Sequence, residues 1–278
     1  MTDTRTATLD IPVSELLDLP PIETAIPGAA PVTLRAYYPH FRAYYPACEP
    51  QTKRWCVRNI RPDWRIFDVG ANIGYFSVLF GRLAPDGTVA AYEPTDTIAM
   101  LEANLALNGI GNITPLRIAL GAESGQITAP IYRIWGEEPE ARPYAFSTVD
   151  EEVRRLGWDR LDLLKIDVDS FDLEVLKGAV ETMDRHAPWV LVELNHALAR
   201  RGQSVPEALD WLAAQGFSEA FVLDRENFLL RKTGHPVPRA GMALRFDREP
   251  VYLPPRRTIP GRTPAARADG PLAVLDHG

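Results

Sequence analysis

From Arg65 to Leu230, short apolar runs alternate with segments whose apolar residues recur at helical spacing. Arg65–Val69 reads as a first strand and Tyr75–Leu83 as the helix that follows it. Thr88–Tyr92 is a second strand, ended at Glu93-Pro94 because proline cannot donate a further ladder hydrogen bond. Ile98–Asn108 has a helical apolar stripe, and Gly109 closes it as a C-cap. Ile113–Leu120 predicts a third strand, and Gln126–Tyr132 a hairpin arm. Leu161–Ile166 (LDLLKI) is almost wholly apolar, as a strand buried on both faces requires. A helix over Asp172–Lys177 stops at Gly178, Trp189–Leu194 is another strand, and Val205–Gln215 a further helix. Phe217–Leu223 and Phe228–Leu230 are the last strands. This alternation predicts a mostly parallel, doubly wound α/β sheet.

The flanks differ. Residues 1–50 are rich in proline and small polar residues and hold a tandem near-repeat, RAYYPHF then RAYYPAC, over Arg35–Cys48. Its aromatics either pack as an arm over the core or close over a ligand. The main domain spans 51–235. Beyond it, 236–278 is a Pro- and Arg-rich tail expected to be extended or partly disordered, although LRF and VYL within it are apolar enough to dock. These apolar fragments in both extensions make a homodimer a reasonable expectation.

Composition narrows the class of protein. The chain has 278 residues, 46% hydrophobic and 24% charged, as expected of a globular protein. A net charge of −7 argues against a nucleic-acid partner. Two cysteines, Cys48 and Cys56, suggest neither a disulfide framework nor a zinc module. No apolar run reaches the roughly 18 residues of a transmembrane helix, and the N-terminus lacks the order of a signal peptide. A cytoplasmic location is the expectation.

The candidate chemistry lies at the carboxyl ends of the strands, where open parallel sheets bind ligands. The segment FDVGANIGYFS, Phe67–Ser77, is a strand, a glycine turn and a helix start. Asp68 precedes Gly70, Asn72 and Gly74, a spacing unlike the dinucleotide G-x-G-x-x-G. It points to S-adenosylmethionine more than to NAD. Asp68 is expected to fix the loop or reach the methionine amino group. Glu93, about 20 residues beyond the loop, is placed to accept both ribose hydroxyls of a nucleoside. Further strand ends supply Ala119 and Leu120, Asp167 and Asp169, and Glu193 with Asn195 and His196.

FDVGANIGYFS, AAYEP, LEANLALNGIGNI, FSTVDE and LLKIDVDSFDLEVLKGA, in this order, resemble the FkbM family of S-adenosylmethionine-dependent methyltransferases. The resemblance covers about Trp55 to Leu194. It implies a class I methyltransferase fold, a Rossmann-like, mostly parallel sheet of seven strands. It also implies methylation of a hydroxyl on a sugar, polyketide or related small molecule. By motif position, Asp68, Gly70, Asn72 and Gly74 would form the cofactor loop and Glu93 would bind ribose. Ala119 and Leu120 would border the adenine, and Asp167 would face the reacting methyl. Where the family reads KIDVEG this chain reads KIDVDS, a difference that bears on acceptor placement.

An alcohol acceptor must lose a proton. His196 is one candidate base, with a surface role as its alternative, and Asp167 is another. A Mg²⁺ ion held by Asp167, Asp169, Glu193 and Asn195 would be a third route. Asp169, Ser170 and Asp172 could instead cap the helix that follows. An NAD-dependent sugar-modifying oxidoreductase is disfavoured by the missing third glycine and by the lack of a Tyr-x-x-x-Lys signature. A non-catalytic scaffold that retains the cofactor fold is the remaining alternative.

Overall fold

The computed structural model describes residues 20–36, 39–132, 139–233 and 242–246. Its strands are β1 (Ile22–Thr24), β2 (Val32–Leu34), β3 (Arg65–Val69), β4 (Thr88–Tyr92), β5 (Ile113–Leu116), β6 (Ala119–Leu120) and β7 (Gly125–Pro130). They continue as β8 (Ala141–Ser147), β9 (Leu163–Ile166), β10 (Trp189–Glu193), β11 (Glu219–Leu223), β12 (Asn227–Leu230) and β13 (Ala243–Phe246). The helices are α1 (Pro39–Tyr44), α2 (Pro50–Asn59), α3 (Tyr75–Leu83), α4 (Ile98–Leu107) and α5 (Val149–Arg155). After them come α6 (Asp172–Lys177), α7 (Val180–His186), a 3₁₀ turn at His196–Arg201, and α8 (Val205–Ala214).

The main sheet runs β13-β11-β12-β10-β9-β3-β4-β5, parallel throughout except for β12. The order reverses between β3 and β9, which opens a crevice at their carboxyl ends. The sheet has eight described strands rather than seven, because Ala243–Phe246 from the tail adds an edge beside β11. LRF therefore pairs with the sheet, whereas VYL and the rest of the tail lie outside the described residues. The predicted third strand also divides. Only Ile113–Leu116 joins the main sheet, while Ala119–Leu120 pairs with β8 in a separate three-stranded sheet. The predicted hairpin arm is real, with β7 and β8 antiparallel.

Period-2 alternation along each central strand divides the core in two. Ile66, Leu163 and Leu191 point to one face, under α2, α3, α4 and the β1–β2 hairpin. Phe67, Leu164 and Val190 point to the other, under α5 to α8. Capping residues start several helices. Thr148 accepts from Glu151 N–H at the start of α5, and Ser204 from Glu207 N–H at the start of α8. Among the described residues no helix is long and apolar enough to cross a membrane.

α2 is capped from far along the chain. Asp224, in the β11–β12 turn, accepts from Gln51 N–H at 3.1 Å and from Thr52 N–H at 2.7 Å. This bond pair pins the N-terminal segment onto the carboxyl edge of the sheet. Replacing Asp224 with Ala should cost about 1–2 kcal/mol, the usual worth of a lost helix cap. Asp224→Asn keeps one acceptor and should lose less; denaturant unfolding of both variants measures the difference.

Candidate functional site

The glycine loop after β3 is shaped by close backbone approach. Gly70 has φ +82, and a Cβ there would lie 1.8 Å from the Asp167 carbonyl oxygen, so only glycine lets the loop pass β9. Gly70 N–H and Ala71 N–H both donate to the Tyr92 carbonyl at 3.0 Å, and Asn72 N–H donates to Glu93 at 3.0 Å. Asn72 itself is left-handed, with φ 48. The loop therefore rests on the end of β4, not on Asp68 as the sequence suggested. Asp68 is fully buried behind it, accepting from Ser77 Oγ at 2.6 Å and facing Lys165 Nζ at 3.4 Å. Gly74 caps α3 at φ +88, where a Cβ would meet Leu101 Cδ1 at 2.5 Å. Its place is helix packing rather than a cavity wall.

Two cavities meet at this loop. The first is a narrow slot bordered by Gly70, Asn72, Glu93, Ala119, Leu120 and Phe146. It sets a carboxylate at one end against apolar walls, the combination a nucleoside needs for its ribose and its base. Glu93 is buried and also accepts from Thr95 N–H at 2.9 Å. Burial raises its pKa, and the hydrogen bonds from Thr95 and Asn72 work against that rise.

The second cavity, of about 310 Å³, shares Gly70, Asn72, Asp167 and Asp169 with the slot. Glu193, Asn195 and His196 border it as well, so the structure brings all the acceptor-side residues read from the sequence to one place. Asn195 is partly committed, since its Oδ1 caps the 3₁₀ turn through Ala197 N–H at 2.8 Å. The other wall is aromatic, with Phe41, Tyr44, Tyr45, Tyr75 and Phe76. Tyr45 stacks on Phe41 at 5.2 Å and on Tyr75 at 5.1 Å between ring centroids. The second copy of the aromatic repeat thus packs against α3 and borders the cavity; Tyr37 and Tyr38 of the first copy lie outside the described residues.

Lys165 joins the two halves. Its Cα is paired with that of Asp68 across β3 and β9, and its ammonium lies 3.4 Å from Asp68 and 3.3 Å from Asp167. Burial works to lower the Lys165 pKa, but Asp167, Asp68 and Glu49 outweigh it and hold the group charged. Carboxylates farther from this cation are pushed the other way. Burial, with repulsion from Asp167, lifts Glu49 to about 7 and Asp169 to about 6. Burial and the neighbouring Asp167, Asp172 and Asp169 raise Glu193 as well. Asp172 rises to about 7 by burial, although it accepts from Val168 N–H at 3.0 Å and Ser170 N–H at 3.1 Å.

Lys165, Glu49 and the Tyr75 and Phe76 rings escaped the sequence reading, whereas the repeat's Phe41, Tyr44 and Tyr45 do border a cavity. A lysine inside the apolar run LLKI was the available signal, because a cation on a doubly buried strand needs anionic partners. Glu49 carried no such signal, as it reaches the site only through the Asp224 cap and a 2.7 Å hydrogen bond from Asn227. The expected Mg²⁺ site does not fit. Among the described residues no group of three or more His, Cys, Asp or Glu side chains is arranged to hold an ion. Asn195, one of the four expected ligands, is bonded instead to its own 3₁₀ turn, and Asp172 caps the backbone before α6 through Val168 N–H and Ser170 N–H.

Comparison with known proteins places this geometry among relatives. The profile described as "Methyltransferase FkbM domain" matches residues 68–219. Methyltransferase sdnD of Sordaria araneosa is 28% identical over 165 residues, covering 45% of this chain and 64% of that protein. Hexuronic acid methyltransferase AglP of Haloferax volcanii is 29% identical over 154 residues, covering 53% and 62%. The chain thus spans less than two thirds of the length of these relatives. Methyltransferase FkbM from Methylobacillus flagellatus superposes with a TM-score of 0.44 at 17% identity, covering 62% of this chain and 44% of that one.

Two outcomes are expected from the site's backbone and charges. Ser170 stands where the family pattern has glycine, and its φ is 99. Ser170→Gly should therefore stabilise the fold by about 1 kcal/mol, read as a rise in Tm of roughly 2–4 °C. A carboxyl whose folded pKa exceeds its unfolded value of about 4.3 stabilises the fold below that value and loses the contribution as pH rises. With Glu49 at about 7, Tm should fall from pH 4.5 to 7 by several degrees, and the fall should shrink in Glu49→Gln. A Tm–pH profile of the two proteins decides it.

Proposed function

Because this chain belongs to the FkbM methyltransferase family, matched over residues 68–219, we propose that it transfers a methyl group from S-adenosylmethionine to a hydroxyl of a small molecule or glycan. The observation that carries this reading is the junction of the two cavities at Gly70, Asn72, Asp167 and Asp169. One cavity has the lining of a nucleoside site and the other that of a polar acceptor site.

The slot fits the cofactor's parts. Glu93 would hold the ribose hydroxyls, Ala119, Leu120 and Phe146 the adenine faces, and Gly70 and Asn72 the approach of the backbone. When bound, the sulfonium supplies an already activated methyl, so the protein's task is alignment and removal of a proton. Asp167 sits at the junction, 3.3 Å from the Lys165 ammonium, and would orient an acceptor hydroxyl. His196 is exposed on the rim of the acceptor cavity, within reach of bulk water, and is placed to take up the released proton. Aromatic rings on the opposite wall would exclude water from the acceptor face.

Binding of S-adenosylhomocysteine, followed by calorimetry, tests the reading. Removing a buried carboxylate that hydrogen-bonds ribose costs about 1.5–3 kcal/mol. Glu93→Ala should therefore weaken binding by roughly ten- to a hundredfold, since each 1.4 kcal/mol is about tenfold. Tight NAD binding without S-adenosylhomocysteine binding would refute the assignment.

A further inference from the structure

The second cavity is unevenly charged. Among the described residues, Glu49, Asp167, Asp169, Glu193 and Glu226 line it against one lysine, and Lys165 is already engaged by Asp68 and Asp167. His196 stands at the rim, and together with Arg200 it offsets part of the Asp169 charge. Asp167 and Asp169 border the cofactor slot too, which leaves Glu49, Glu193 and Glu226 as carboxylates of the second cavity alone. Two of those three, Glu49 and Glu226, lie outside residues 68–219. Facing them are the aromatic rings, with Tyr44 among the exposed large side chains. Tyr75 lines the same cavity, while its hydroxyl is buried beside the weakly polar Cys48 thiol.

An aromatic wall opposite carboxylates attracts a cation through ring quadrupole and charge together. The same lining disfavours an anion, because among the described lining residues five carboxylates outnumber Lys165, which Asp68 and Asp167 already engage. Resting on the proposed methyltransferase reading, we infer that the acceptor is an alcohol carrying a protonated amine, which Glu49 and Glu226 read beneath the Tyr44 and Tyr45 rings. The upward shifts at Glu49 and Glu193 agree with this: Lys165 only partly offsets the burial of Glu49, and a cationic acceptor would meet both carboxylates. The inference separates this chain from relatives whose acceptors are acidic. AglP is named as a hexuronic acid methyltransferase, whereas this cavity disfavours a carboxylate-bearing acceptor.

A matched set of ring alcohols tests it: trans-4-aminocyclohexanol, trans-1,4-cyclohexanediol and trans-4-hydroxycyclohexanecarboxylate. Each is titrated into the full chain saturated with S-adenosylhomocysteine, with binding followed by saturation-transfer NMR. The amine should bind at least tenfold more tightly than the carboxylate, with the diol between them. Glu49→Gln should narrow that ratio severalfold, and Glu226→Gln, at an exposed turn where folding is not at stake, should narrow it too. Equal binding of the three, a reversed order, no binding by any, or a ratio unmoved in Glu226→Gln overturns the inference. Calorimetry on S-adenosylhomocysteine separates the two levels. Loss of that binding refutes the methyltransferase reading itself, whereas intact binding without charge preference refutes only the acceptor class.

Discussion

Lys165 is the constraint around which the site is organised. A lysine on a central strand, 4% exposed and stacked 5.0 Å from the Phe76 ring, is costly to bury unless anions surround it. Asp68 on β3 and Asp167 at the end of β9 meet that need from two directions. Because Asp68 is consumed inside the core by Lys165 and Ser77, the glycine loop must find other acceptors. It finds them at the end of β4, in the Tyr92 carbonyl and Glu93. Three strand ends are thereby tied together, and the crevice between them inherits their geometry.

Strained backbone gathers around the same carboxylates. Glu49, Asn72, Asp169 and Ser170 all have positive φ without being glycine, and the first three border the second cavity. Such conformations persist only where surrounding contacts over-determine them. Asp172 supplies those contacts for the segment after β9 through two backbone N–H groups. The Asn227 bond does so for Glu49. The slot is lined from within the matched family region, residues 68–219, while flanking segments add Phe41, Tyr44, Tyr45, Glu49 and Glu226 to the second cavity.

Much of this chain is written locally. Strand boundaries at Arg65–Val69 and Thr88–Tyr92 and the helix at Tyr75–Leu83 follow from apolar period, glycine and proline alone. The strand-end carboxylates and the glycine loop were legible because they sit beside those elements in sequence, and the FkbM resemblance rested on the same motifs. Some short elements were legible, such as the helix Asp172–Lys177, and others were not. β8 contains Pro143 and α5 is only seven residues long, and neither was read from the sequence.

What the tertiary structure alone decided are contacts between distant segments. The sequence could place Asp68 before the glycine loop, but only strand register sets Lys165 beside it and turns it away from the loop N–H groups. It could show a tyrosine repeat, but only the packing of Tyr45 on Tyr75 makes that repeat a cavity wall. It gave Glu49 no role at all until Asp224, far along the chain, capped α2 and carried Glu49 to the sheet edge. Local pattern records which residues share a face or a turn. The electrostatic environment of each carboxylate depends on burial and on neighbours brought together by folding, and no local pattern contains that.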